Sequence, residues 1–278
     1  MRSLKRGRKQ LFENAAICLI LILFMVAVFA VHRTQLALNP LGWSRFLRLW
    51  IVDFPPTLVL ILFAAWMAGN LRGGGLAGGL KFIGLSSLWK GATVVGLLAG
   101  VSAIIVDLLV VWLARAHIEP ATELHGRIPY MLVVTAFGEE VLFRGFVFRI
   151  MRRRWSFISA AILASLIFTI SHSIVLGRFL MAKDYEYAFF QFFMPFITGI
   201  YFAYLFERGG WSIWGCVIAH AGINANTFYR PLLIDGIPRN WWVFHGWEVT
   251  SFLIPAVQIG VILFGLWLLN RKRRSHGK

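Results

Sequence analysis

Charge is scarce in this chain. Only 14% of its 278 residues are charged, while 59% are hydrophobic and 15% are aromatic. A water-soluble domain could not cover so much apolar surface with so few charges, so an integral membrane protein is expected. Cysteine is almost absent. Cys18 and Cys216 both lie in apolar runs; they offer no disulfide framework and no thiolate metal site, and read as packing residues. No internal repeat or soluble domain is visible. The glycines between Gly73 and Gly79 lack the Gly-Lys-Ser/Thr ending of a phosphate loop. Ser171 and Ser173 lack the Gly-x-Ser-x-Gly setting of a serine nucleophile. No His-Glu-x-x-His occurs, so the usual helical zinc motif is missing.

What is present is hydrophobic runs flanked by basic blocks. The net charge of +16 could suggest nucleic acid, but the charges sit beside apolar runs, as membrane flanks do. Anionic lipid headgroups are the expected partner, and nucleic acid is not. Eight spans are expected, at about residues 15–31, 51–68, 91–113, 128–150, 157–176, 188–206, 211–228 and 251–269. Each is near the ~20 residues a helix needs to cross a bilayer. The predicted fold is all-α, a bundle of about eight transmembrane helices. Residues 1–127 carry the first three helices and a flexible Gly-rich loop, 128–228 a polar-motif core, and 229–278 a loop, the last helix and a basic tail. Lys and Arg are about twice as frequent on the side holding both termini, which puts that side in the cytoplasm.

Three of these spans carry polar groups. The fourth contains Phe137-Gly-Glu-Glu-Val-Leu-Phe-Arg-Gly145, with Glu139, Glu140 and Arg144 inside an apolar run. Each such group costs roughly 2.5 kcal/mol or more at the centre of a membrane helix, so a use or a partner is expected. Residues four apart lie about 40° apart around a helix, so Glu140 and Arg144 can pair. Glu139 points about 100° away and is left over as a carboxylate able to face a cavity. The fifth span holds His172 and the seventh His220 and Asn224. A carboxylate and an imidazole can take a proton from water, and a second imidazole with an amide can stabilise an oxyanion. Hydrolysis of an amide without a covalent intermediate is the chemistry these groups suit. Two alternatives stay open: zinc held by Glu139, His172 and His220, and a non-enzymatic transporter or assembly partner using the same groups. Asp107 has no obvious partner in sequence, and Asp53 reads as solvated at a span boundary. His117, His125 and His245 fall on outer loops.

The three motifs together resemble the CAAX protease and bacteriocin-processing family of intramembrane proteases. Its pattern of Glu-Glu-x-x-x-Arg, Phe-x-x-x-His and His-x-x-x-Asn is met by Glu139 to Arg144, Phe168 to His172 and His220 to Asn224. The resemblance implies a glutamate-dependent endopeptidase of eight membrane helices. It implies that Glu139 and His172 activate water, that His220 and Asn224 form the oxyanion site, and that Glu140, Arg144 and Phe168 support them. It implies no metal or other cofactor. The substrate would be a membrane-embedded, lipid-anchored or CAAX-like peptide, and the location a prokaryotic plasma membrane.

Overall fold

The computed structural model describes residues 2–38, 49–87, 90–113, 116–120, 128–172, 177, 180–181, 183, 185–225, 229–233 and 247–275. Nine helices and one ribbon are described. Helix α1 is Arg2–Leu38 and α2 is Phe54–Asn70, entered through a π-wound turn at Leu49–Asp53. Pro55 and Pro56 occupy the first turn of α2, where a missing N–H removes no helical hydrogen bond. Helix α3 is Gly75–Phe82 and α4 is Lys90–Leu113. Helix α5, residues 130–152, changes winding three times: π over Tyr130–Phe137, α over Gly138–Glu140, π over Val141–Phe148 and α over Arg149–Arg152. Helix α6 is Phe157–Ser171, α7 Tyr185–Arg208, α8 Trp214–Ile223 and α9 Trp247–Ser275. Strands β1 (Ala116–Pro120) and β2 (Tyr229–Leu233) pair antiparallel, with Ile118 opposite Pro231. This ribbon joins two stretches read from sequence as loops.

Among the described residues, four helices are long and apolar enough to cross a membrane, and these include residues 50–70, 91–113, 188–208 and 252–271. Shorter apolar helices lie at Leu11–Ala27, Phe157–Ser171 and Trp214–Ile223. The fifth and seventh spans are therefore shorter than expected. Helix α6 stops at Ser171 instead of reaching residue 176, and α8 occupies only ten residues of the expected 211–228. Large apolar side chains such as Ile22, Leu97, Ile105, Phe264 and Trp267 face outward. They form the lipid-facing surface of a membrane bundle, since lipid tails impose no penalty on them.

Helix α5 lies at the centre. Every residue of Val141–Phe148 is buried, and its neighbours are α2, α6, α7 and α8. Phe143, Phe146, Phe148, Phe202 and Phe206 are among the largest fully buried side chains. Helix α8 rests on α4 with backbone against backbone. A Cβ on Gly222 would lie 2.3 Å from the Gly100 Cα, and one on Gly96 would lie 2.1 Å from the Gly215 carbonyl oxygen. Small residues at such crossings let membrane helices approach closely.

The Gly-rich stretch is not the flexible loop expected. Residues 75–82 form α3 and lie against α2, where a Cβ on Gly79 would meet the Ala65 carbonyl oxygen at 1.7 Å. Close helix contact, rather than flexibility, requires glycine there. Asp53 is also a correction: it is buried. Asp107 is buried as well and is engaged by a neighbour.

The basic block at residues 149–154 is a set of clips. Arg152 makes a two-pronged contact with Glu207 of α7, at 2.7 and 3.1 Å, and this hydrogen bonding holds its guanidinium above its ordinary pKa. Arg153 reaches Glu13 of α1 at 2.9 Å, and Arg154 pairs with Glu13 and, at 2.7 Å, with Asn14.

Candidate active site

The two glutamates sit on the short α-wound turn Gly138–Glu140 between two π-wound segments. Local π winding recurs at functional positions in helices. Glu140 is fully buried, and its Oε1 lies 3.0 Å from Arg144 Nη1, one turn along. The guanidinium lies 4.2 Å from the centre of the Phe168 ring and 5.6 Å from that of Phe202. A buried ion pair is favourable only when its geometry offsets the desolvation of both charges; here two ring faces supply part of the offset. Glu139 leaves this cluster, as the helical spacing predicts, and keeps 16% of its side chain exposed.

His220 joins the two carboxylates. Its Nδ1 lies 2.7 Å from Glu140 Oε1, and its Nε2 lies 3.9 Å from Glu139 Oε2. Because Glu140 accepts at the short distance, Nδ1 carries the donated hydrogen and fixes the ring's tautomer. The Nε2 atom is thereby turned towards Glu139. The 3.9 Å separation is too long for a direct hydrogen bond but short enough for one water to touch both groups. Sequence alone paired Glu140 with Arg144; it did not show Glu140 as the nearer carboxylate to His220.

His172 is the C-terminal cap of α6. Its Nδ1 lies 2.9 Å from the Phe168 carbonyl oxygen, so Nδ1–H donates there and Nε2 keeps its lone pair. Phe168 presents its ring to His172 at 4.9 Å and to His220 at 6.4 Å, both edge-on. Phe168 thus touches Arg144 and both histidines. Among the described residues no hydrogen bond or ion pair joins His172 directly to Glu139. The helix below His172 is begun by Ser156, whose hydroxyl oxygen accepts from the Ser159 backbone N–H at 3.2 Å.

Asn224 caps the C-terminus of α8, and its Nδ2 lies 3.5 Å from the Thr135 hydroxyl on α5. That hydroxyl donates to the Met131 carbonyl at 2.6 Å. Thr135 was missed from sequence, although its place one turn before Glu139 was a signal. Phe202, which touches both Arg144 and His220, carried no signal among 25 phenylalanines. Gln258 of α9 was also missed. Its amide donates to the Ala99 carbonyl at 2.9 Å and its oxygen accepts from Tyr201 at 2.5 Å, tying α4 and α7 around α8.

No group of three His, Cys, Asp or Glu among the described residues could hold a metal ion. Of the zinc set Glu139, His172 and His220, His220 has Nδ1 on Glu140 and Nε2 towards Glu139, while the His172 ring packs against Phe168. His125 and His245 lie outside the described residues.

No curated protein matches the chain. Residues 121–226 match the model of the Rce1-like type II CAAX prenyl endopeptidases. The matched stretch contains Glu139, Glu140, Arg144, Phe168, His172, His220 and Asn224, the residues whose geometry is given above. Residues 121–226 are thus similar to the Rce1-like type II CAAX prenyl endopeptidases, a family of membrane proteases.

Proposed function

We propose that the chain cleaves peptide bonds inside the membrane with a water activated by Glu139 and His172, while His220 and Asn224 receive the oxyanion. The observation that carries this reading is the His220 ring held between two carboxylates, at 2.7 Å from Glu140 and 3.9 Å from Glu139. Glu140 orients the ring and offsets its charge. When the ring is protonated, Nε2 becomes a donor on the side where Glu139 stands. His172 contributes a free Nε2 lone pair, so it serves as proton acceptor without reorienting. Arg144 and Phe168 keep Glu140 and the two rings in place. The substrate is a membrane-embedded or lipid-anchored peptide, with a prenylated CAAX-like chain as the family's type. Both termini face the cytoplasm, as the excess of Lys and Arg on that side indicates.

The test is cleavage of a lipid-anchored peptide by purified, reconstituted protein. Glu139→Gln and His172→Ala should each lower kcat by about 10²–10⁴-fold, the usual contribution of a positioned acid or base, with unchanged thermal unfolding. Full activity in Glu139→Gln would end the assignment.

A further inference from the structure

Four arginines converge where α5 ends, and the proteolytic reading uses none of them. Arg149, Arg152 and Arg153 come from the end of α5 and Arg72 from the turn between α2 and α3. With Phe82 and Trp211 they line a pocket of about 330 Å³. The pocket is assembled from three distant parts of the chain.

The neighbouring acids neutralise only part of this charge. Glu207 is committed to Arg152, and Glu13 to Arg153 and Arg154. Arg72 and Arg149 have no carboxylate partner among the described residues. Their guanidiniums lie over the same ring, Phe82, at 5.0 and 4.7 Å. Arg149 also stacks on Trp211 at 4.6 Å and donates to the carbonyl oxygens of Lys81 and Phe82. Two cations on one ring repel each other. Arginines that merely mark the membrane edge extend into water, where their charges are screened. Here a half-buried arginine is fixed by carbonyls and three aromatic rings, those of Phe82, Phe206 and Trp211, beside a second, exposed one.

We propose that this pocket binds a phosphate anion, either the phosphodiester of an anionic lipid headgroup or free inorganic phosphate. Guanidinium forks match phosphate oxygens in pairs, and an anion between Arg72 and Arg149 converts their repulsion into two attractions. Trp211 lines the site, and the Trp155 carbonyl accepts from Arg152 beside it; indole rings gather at the headgroup level.

The experiment uses the full chain purified in a neutral detergent. In one arm, native mass spectrometry measures retention of phosphatidylglycerol against phosphatidylcholine. In the other, thermal unfolding is followed with inorganic phosphate against chloride at equal ionic strength. Selective retention of phosphatidylglycerol without a phosphate response assigns the site to a headgroup; protection by phosphate assigns it to the free anion. In either case Arg72→Gln should weaken the response about tenfold, the equivalent of one charge-assisted contact, and Lys81→Gln, an exposed cation outside the pocket lining, should leave it intact. Arg72 is exposed, so its substitution spares the core; Arg149→Gln, which disturbs the stacking, is read only if the variant unfolds at the wild-type temperature. An unchanged response in Arg72→Gln, an equal loss in Lys81→Gln, or no wild-type response to either probe would each overturn the proposal.

Discussion

Glu139 and Glu140 are neighbours in sequence with different physical situations. Glu140 is fully buried against Arg144 and His220, while Glu139 keeps some exposure and lies near His220. Their substitutions should therefore fail differently. Glu140→Gln leaves Arg144 buried without its counter-charge, and should cost about 3–5 kcal/mol of stability. Circular dichroism melting would register this as an early transition, and adding Arg144→Met should recover much of the loss. Glu139→Gln should melt like the wild type while cleaving poorly. An unaltered melt for Glu140→Gln would mean that the ion pair contributes nothing to the fold. The helical spacing of Glu140 and Arg144 made their pairing legible, since a four-residue separation survives the change to π winding. The Glu140–His220 contact was not legible, because eighty residues separate the partners and no local pattern encodes that approach.

At the scale of elements, position is set by glycines as much as by motifs. Helix α8 carries His220 and Asn224, and its distance from α4 is set by Gly100 against Gly222. Gly222→Ala should force the two helices apart, at a cost of about 1–3 kcal/mol from overpacking. Because α8 moves with the side chains proposed to receive the oxyanion, kcat should fall by more than the loss of folded protein explains. Single-turnover cleavage at a temperature where both proteins are folded measures the difference; equal rates would mean that α8 keeps its place. The same chemistry explains the misread Gly-rich segment. Composition suggested looseness there, whereas the glycines of α3 permit contact with α2. The π winding of α5 was hidden for another reason: a run such as Val141–Phe148, apolar but for Arg144, looks alike whether its hydrogen bonds span four residues or five.

The molecule as a whole is a bundle whose apolar exterior and polar seam were both readable from sequence. The all-α class and membrane character followed from composition, and the motif residues were identified before any geometry. Helix lengths were not, because hydropathy marks where a chain is apolar and not where its helix stops. The attachment of α1 was hidden too, since Glu13 and Arg153 are 140 residues apart. Glu13 is held between Arg153 and Arg154, so Glu13→Gln should loosen α1 from the bundle while leaving the α5–α8 cluster intact. Cys18 is exposed on α1 and Cys216 is buried, so a spin label reacts selectively at Cys18. Its spectrum should sharpen in Glu13→Gln, and an unchanged line shape would show that apolar packing alone holds α1.

The shortness of α8 bears on how hydrolysis proceeds at such depth. A ten-residue helix is about 15 Å long, half the thickness of a hydrocarbon core of about 30 Å. The Asn224 N–H serves the His220 and Gly222 carbonyls at its end, and lipid offers no partner to any carbonyl left over. Backbone that stops being helical at membrane depth requires protein or water around it. Helix α6 likewise stops at His172. On the proposed mechanism, two helices thus end at the side chains that handle the reaction, where water can supply what lipid cannot. On that reading the helix ends carrying His172 and Asn224 also set the level at which the reactant water reaches the bilayer interior.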